Sequence, residues 1–267
     1  MTWLTEPLEL EFMQRALLEV ALLSAPAGLL GTWIVLRRLA FFTHAAGSAT
    51  FPGLVVAGPW GVPAQVAAFG AGLLYAGGLS GLVRRARIGA DAATGLLLVL
   101  ALAVGTVLAS DVYEAGGGVD RLLFGTLLGL DDGDLVLSAA VAAVALAGTA
   151  ALGRTWLAGG FDPDAAGALG VRAARGDAAL LFVVALAVLA ALPAVGALLV
   201  GALLVLPAAT ARLIGRSVRE VQLVAIALAL AEGVAGLLLA YHLDLPPGPS
   251  VAVLGGGIFA VAAAVRR

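Results

Sequence analysis

The stretch Arg37-Arg38-Leu39-Ala40-Phe41-Phe42-Thr43-His44-Ala45-Ala46-Gly47-Ser48-Ala49-Thr50-Phe51-Pro52-Gly53 decides how the chain is read. It opens with a charged pair that a membrane-spanning chain keeps only in water, then runs into an apolar segment carrying one of two histidines. On a helix, Thr43, Gly47 and Thr50 fall at i, i+4 and i+7, and His44 lies one turn from Ser48. Hydroxyls and imidazole then share a sector, a polar stripe built into a membrane helix. That sector is the expected path through the bilayer.

Composition sets the class. Hydrophobic residues make up 62% of the 267, charged residues 12%, and mean hydropathy is +1.08, far more apolar surface than one soluble core can hide. Lipid is therefore the solvent, and the chain reads as an all-α, polytopic helix bundle placed multi-pass in the cell membrane. Apolar runs between arginine clusters and Gly/Pro turns predict spans at 14–36, 39–58, 62–83, 92–110, 135–152, 178–192, 196–214, 221–242 and 250–264. That is eight or nine spans, because Pro193 is expected to break the sixth from the seventh. Residues 1–267 form one transmembrane domain without a sizeable extramembrane part, and the acidic N-terminal stretch does not read as a cleavable leader. A net charge of -2 points to no nucleic-acid partner.

Every basic residue is arginine, and there is no cysteine. Without lysine the chain cannot hold the phosphate-binding loop of an ATPase, whose lysine reaches the β- and γ-phosphates. Thiolate metal sites and cysteine nucleophiles are excluded too. With the N-terminus outside and the C-terminus cytoplasmic, all arginines except Arg15 and Arg121 face the cytoplasm, the arrangement the positive-inside bias favours. Small-xxx-small spacings such as Gly77-Gly81 and Gly125-Gly129 suit close helix packing, and Arg121 to Leu130 is apolar enough for a short outer helix. Two carboxylates, Glu19 in the first span and Glu232 in the eighth, are candidates for function because an intramembrane charge is expensive. His242 reads as interfacial.

The longest cytoplasmic loop, about 153–177, contains Phe161-Asp162-Pro163-Asp164-Ala165-Ala166-Gly167-Ala168-Leu169-Gly170-Val171. Asp162 can cap a helix, Pro163 suits its first position, Asp164 its positive end and Gly170 its stop. Phe161, Ala165 and Leu169 then share an apolar side that can dock.

These segments, with the sequences Val195 to Val200, Leu206 to Arg212 and Asp244 to Pro249, resemble in order the permease subunit of metal-ion ABC importers, the zinc and manganese uptake family. The resemblance implies a homodimer of permeases forming the path for a divalent metal ion, cytoplasmic ABC ATPase subunits that use the ATP, and an extracytoplasmic metal-binding protein that delivers the cargo. It implies no cofactor bound by this chain and no catalysis in it. The helix around Phe161, Asp162, Pro163, Asp164, Ala165, Leu169 and Gly170 then corresponds to the coupling helix that fits the ATPase. Where the family motif reads aromatic-Gly-Asp-x-x-x-His-Ala, this chain has Thr43, His44 and Ser48, so the carboxylate is gone. His44, Ser48 and Thr43 are the expected transit site, with Glu232 and Glu19 as weaker metal candidates. A permease for iron-siderophore or cobalamin-like chelates, and an ATPase-independent secondary transporter, are the competing readings. An intramembrane enzyme lacks the residues to build a site.

Overall fold

A computed structural model of the chain describes residues 6–86, 89–112, 125, 129–161, 173–196 and 199–266. After a short 3-10 turn at Glu6–Glu9 come α1 (Glu11–Leu36), α2 (Ala40–Ser48), α3 (Phe51–Ala57), α4 (Ala64–Ala86), α5 (Ala90–Val107, closed by a wider turn at Leu108–Val112), α6 (Asp132–Phe161), α7 (Ala173–Val195), α8 (Val200–Ile214), α9 (Val218–Leu243) and α10 (Pro247–Val265). Eight segments are long and apolar enough to cross a membrane, counting α2 and α3 as one, and α8 is a shorter apolar helix. Each expected span has its helix, and no strand occurs among the described residues.

The helices sort into inner and outer positions. Two thirds of the most apolar window of α1 and of α7 is buried, and 72% of the α2–α3 segment, against 17–22% for α4, α5, α6 and α10. Exposed leucines and valines on the outer helices, such as Leu74, Val99, Val136 and Val253, face the lipid, which costs nothing where the solvent is hydrocarbon. Inside, α1 is the post against which α6, α8 and α9 pack. Its close approaches depend on glycine. A Cβ on Gly31 would collide with the carbonyl of Leu204 on α8, and one on Gly28 with the backbone of Ile226 on α9. Gly77 and Gly81, by contrast, meet no atom within 4 Å, and Gly125 is not helical, so the spacings singled out in the sequence are not what closes this bundle.

Helix ends follow local chemistry. Asp131 and Asp134 cap α6 reciprocally: the Asp134 backbone N–H donates to Asp131 Oδ1 (2.9 Å), and the Asp131 N–H to Asp134 Oδ2 (3.2 Å). Ser217 caps α9 by accepting from the Glu220 N–H at 3.2 Å, and Asp244 closes that helix in a left-handed conformation before Pro246.

Two boundaries depart from expectation. Pro193 lies inside α7, which runs on to Val195; the chain turns at Gly196, whose φ of +81° only glycine adopts readily. The segment expected as a loop at 153–177 is helical at both ends, because α6 continues to Phe161 and α7 starts at Ala173. At 30 residues α6 is about 45 Å long, well beyond the hydrocarbon thickness. The cause is Trp156, fully buried against Trp33 (ring centroids 5.7 Å apart, planes at 71°), with its indole N–H donating to the Gly176 carbonyl at 2.9 Å. Arg37 completes this junction, donating to the Trp156 carbonyl (3.0 Å) and pairing with Asp177 (2.6 Å). It ties the ends of α1, α6 and α7 together.

These contacts predict opposite outcomes for one substitution at two glycines. Gly31→Ala should destabilise the detergent-solubilised protein by about 1–3 kcal/mol through overpacking, whereas Gly77→Ala should stabilise it by about 0.5–1 kcal/mol through helix propensity. Thermal unfolding of the two variants checks this.

Candidate functional site

The expected polar stripe is dissected by its own hydrogen bonds. Thr43 is fully buried and its hydroxyl donates to the Leu39 carbonyl, one turn back, at 3.0 Å. Thr50 does the same to the Gly47 carbonyl at 2.6 Å. Both hydroxyls are spent on nearby backbone carbonyls, Thr43 within α2 and Thr50 in the turn after it, a common use for threonine in an apolar setting. His44 and Ser48 remain. His44 is partly exposed, and Ser48 is 3% exposed with a hydroxyl that finds no partner among the described residues. A buried hydroxyl without a partner costs about 1–3 kcal/mol, and this one lies one turn from the imidazole.

The backbone explains why the polar residues sit here. Pro52 has no N–H, so it cannot bond the Ser48 carbonyl, and it sits in the first turn of a new helix, the position where proline is tolerated. The second span accordingly divides, α2 ending at Ser48 and α3 beginning at Phe51. Irregular backbone at membrane depth is tolerated only where protein or a cavity encloses it. The enclosure is supplied by two glycines: a Cβ on Gly105 of α5 would collide with Phe51 and crowd the Pro52 nitrogen just past the break, and one on Gly201, at the start of α8, would lie 3.2 Å from both Cα and Cβ of His44 one turn before it, a tight fit that glycine relieves. The second break, at Gly196, is in turn covered by Gly125 (φ +68°), which has backbone atoms of residues 194–196 where its Cβ would be. Of the segment expected as an outer helix, only Gly125, Gly129 and Leu130 are described, and Leu130 is buried in the core.

Glu19 and Glu232 are both buried, each in its own setting, and the gap that Glu232 faces is also lined by Val195 and Leu199, which flank the Gly196 break. Glu19 is wholly inaccessible between α1 and α6, where Ser138 Oγ donates to its Oε1 at 2.6 Å while Oε2 has no partner. Asp134 and Gln65, 3.5 Å apart, extend the same polar patch. Glu232 is 3% exposed on α9 and faces a small gap lined by Leu203, Leu206, Val251 and Ala252, with Oε1 unpartnered. Among the described residues no three of His, Cys, Asp and Glu come together as a metal-holding group. His242 is half-buried, edge-on to Tyr241 at 5.2 Å. Phe161 closes α6, and Asp162, Pro163, Asp164, Ala165, Leu169 and Gly170 lie outside the described residues.

Sequence reasoning found His44 and Ser48 but not Gly201, Ser138 or Asp177. Nothing in the periodicity of one helix says which residue of another will face it. The only hint was the excess of glycine.

Comparison with known proteins gives consistent results. Residues 9–266 match the ABC 3 transport family. Across 99% of this chain and 97% of the relative, the sequence is 31% identical to a Haemophilus influenzae protein named "Probable iron transport system membrane protein". It is 28% identical, over 95% of this chain and 91% of the relative, to the manganese import system permease protein ScaB of Streptococcus gordonii. Among solved structures, PsaBC from Streptococcus pneumoniae in complex with Fab superposes with a TM-score of 0.85 at 25% identity, covering 97% of this chain and 94% of that one. A metal-chelate type ABC transporter in an inward-facing conformation shares the fold, with a TM-score of 0.77 at 17% identity over 95% and 86% of the two chains.

The setting of Glu19 yields a stability prediction. Ser138→Ala removes the one side-chain hydrogen-bond donor to this buried carboxyl among the described residues and should cost about 1–3 kcal/mol in thermal unfolding. Glu19→Gln, which keeps the shape, should cost less than Ser138→Ala in the same measurement.

Proposed function

The chain belongs to the ABC 3 transport family, and on that premise we propose that it forms the membrane path of an importer for a divalent transition-metal ion. It is a permease subunit and not an enzyme: relatives of this family are membrane subunits whose ATP is hydrolysed by separate ABC subunits, and a chain without lysine has no phosphate-binding loop of its own. That family membership sets aside the ATPase-independent secondary transporter. The observation that carries the metal reading is the pairing of His44 with the unpartnered, buried Ser48 hydroxyl at the break between α2 and α3.

An imidazole and a hydroxyl from one chain are too few ligands for a resident ion. They suit a station that a cation occupies and leaves, with water and a second copy of His44 across a twofold dimer completing the shell. The loss of the motif's carboxylate also bears on selectivity. Imidazole suits zinc and iron, while carboxylate and water oxygens suit manganese, so the cargo is zinc or ferrous iron in preference to manganese. The names of relatives, which include iron and manganese systems, accord with a transition metal as cargo. The arginine bias supports a cytoplasmic C-terminus, with ATPase subunits docking on the arginine-rich face around residues 162–170 and a binding protein delivering ions on the other.

A second reading, transport of a chelated metal, draws on the Yersinia pestis relative named as a chelated iron transport system membrane protein, 29% identical over 97% of this chain. In that case the metal is already coordinated and His44 matters little. Uptake of zinc, ferrous iron and manganese by cells dependent on the complete transporter separates the two. His44→Ala should lower uptake of the preferred ion about tenfold or more at equal protein level, because even an outer partner of a metal ligand is worth 10–100-fold. Undiminished uptake of free ions would rule out the His44 station.

A further inference from the structure

Two adjoining cavities at the arginine-rich end of the bundle have complementary character. The first, about 720 Å³, lies between the ends of α1, α6, α8 and α9 and is lined by Arg37, Arg212, Arg216, Arg266, Trp33 and Trp156, among others. Arg37 is engaged with Asp177. The guanidinium groups of Arg212, Arg216 and Arg266 pair with no carboxylate among the described residues, and Glu220, whose Oε2 accepts from the Arg216 backbone N–H at 2.8 Å, is the acid at this rim; the Arg266 guanidinium donates to the Arg212 carbonyl, at 3.3 Å. Trp33, 3% exposed, adds a buried indole N–H with no acceptor. Arginine and tryptophan side chains donate and cannot accept. The cavity therefore offers donors and positive charge, which suit an anion with several acceptor oxygens.

The second cavity, about 1040 Å³, is an open groove along α10, floored by Leu228 and Leu239 of α9 and by Leu213 and Ile214 of α8. It is lined on α10 from Pro246 to Arg266, about 30 Å of helix and the depth of the hydrocarbon layer. Its walls are almost wholly leucine, isoleucine, valine, proline, alanine and glycine. Leu213 and Arg266 line both cavities, so the apolar groove opens directly into the arginine pocket.

We propose that this composite site binds one anionic phospholipid, its phosphate held by Arg212, Arg216 and Arg266 and its acyl chains lying in the arginine-end half of the groove along α10, the depth of one leaflet. Charge complementarity and continuity select this occupant. A guanidinium fork matches phosphate oxygens bidentately, and basic pockets between transmembrane helices at a membrane surface recognise acidic headgroups. A small soluble anion would fill the pocket but leave the groove unused, and a zwitterionic lipid would bring its own cation among the arginines. Because Arg37 of the same pocket fastens α1, α6 and α7 together, a bound lipid would brace the face from which the 162–172 segment emerges.

The test uses the full-length chain, alone and in its complex with its ATPase, stripped of lipid and offered phosphatidylglycerol or phosphatidylcholine in detergent, with retention read by native mass spectrometry. Phosphatidylglycerol should be retained at least tenfold over phosphatidylcholine. The triple variant R212Q/R216Q/R266Q should abolish that preference. Gly257 lines the groove with nothing within 4 Å of where its Cβ would be, so Gly257→Phe should block the acyl chains without disturbing the fold and should lose retention with the arginines intact. Equal retention of both lipids, or undiminished retention in either variant, overturns the proposal. So does displacement by inorganic phosphate at the same concentration, which would reduce the site to an anion pocket, or loss of the lipid on ATPase binding, which would give the face to the protein partner.

Discussion

In hydrocarbon a peptide group has no water to turn to, and this constraint governs where the chain can do anything but coil. The protein leaves the helix at two places within its inner layer, after Ser48 and at Gly196, and each break is closed by backbone from elsewhere. Gly105 of α5 fits against Phe51 and Pro52 just past the first break, Gly201 at the start of α8 against His44 one turn before it, and Gly125 against residues 194–196. Glycine is the residue that makes this possible, because two backbones can approach only where no Cβ stands between them. The broken second span and the shortened eighth helix are thus two halves of one arrangement. The histidine lies where they meet.

The same constraint explains what became of the polar side chains. Thr43 satisfies itself on its own helix and Thr50 in the turn that follows it, Glu19 borrows a hydroxyl from Ser138, and Arg37 spends its donors on Trp156 and Asp177. What stays unsatisfied among the described residues is scattered: the Ser48 hydroxyl, one oxygen each of Glu19 and Glu232, the Thr149 hydroxyl, the Gln222 amide and the Trp33 indole N–H. A buried polar group without a partner is costly, and of these Ser48 lies at the end of α2 and Trp33 at the arginine-rich end, where the functional readings fall.

The two ends of α6 show how far local chemistry reaches. Its start is written in Asp131 and Asp134, whose reciprocal capping needs only neighbours three residues apart. Its end is not. Gly153 and Arg154 look like the exit from a span, yet the helix runs on to Phe161 because Trp156 is buried against Trp33 and bonded to Gly176, partners more than a hundred and about twenty residues away. Pro193 misled in a similar manner. A proline near a helix end is tolerated, and the turn falls instead at the glycine that can take a positive φ.

The sequence by itself determined the solvent, the helical class and the course of all nine apolar segments, because hydropathy and the length needed to cross a bilayer are properties of contiguous residues. The absence of lysine and cysteine likewise needs no coordinates. It also put His44 and Ser48 one turn apart, since that spacing is a matter of helical geometry. Only the tertiary structure decided which polar groups are spent and which are left over, which glycines sit at crossings and which face lipid, and that four arginines distant in the chain line one pocket opening onto an apolar groove. Those are facts about which faces meet, and the packing of separate helices in lipid is chosen by shape and hydrogen bonding between them, which no single stretch of sequence contains.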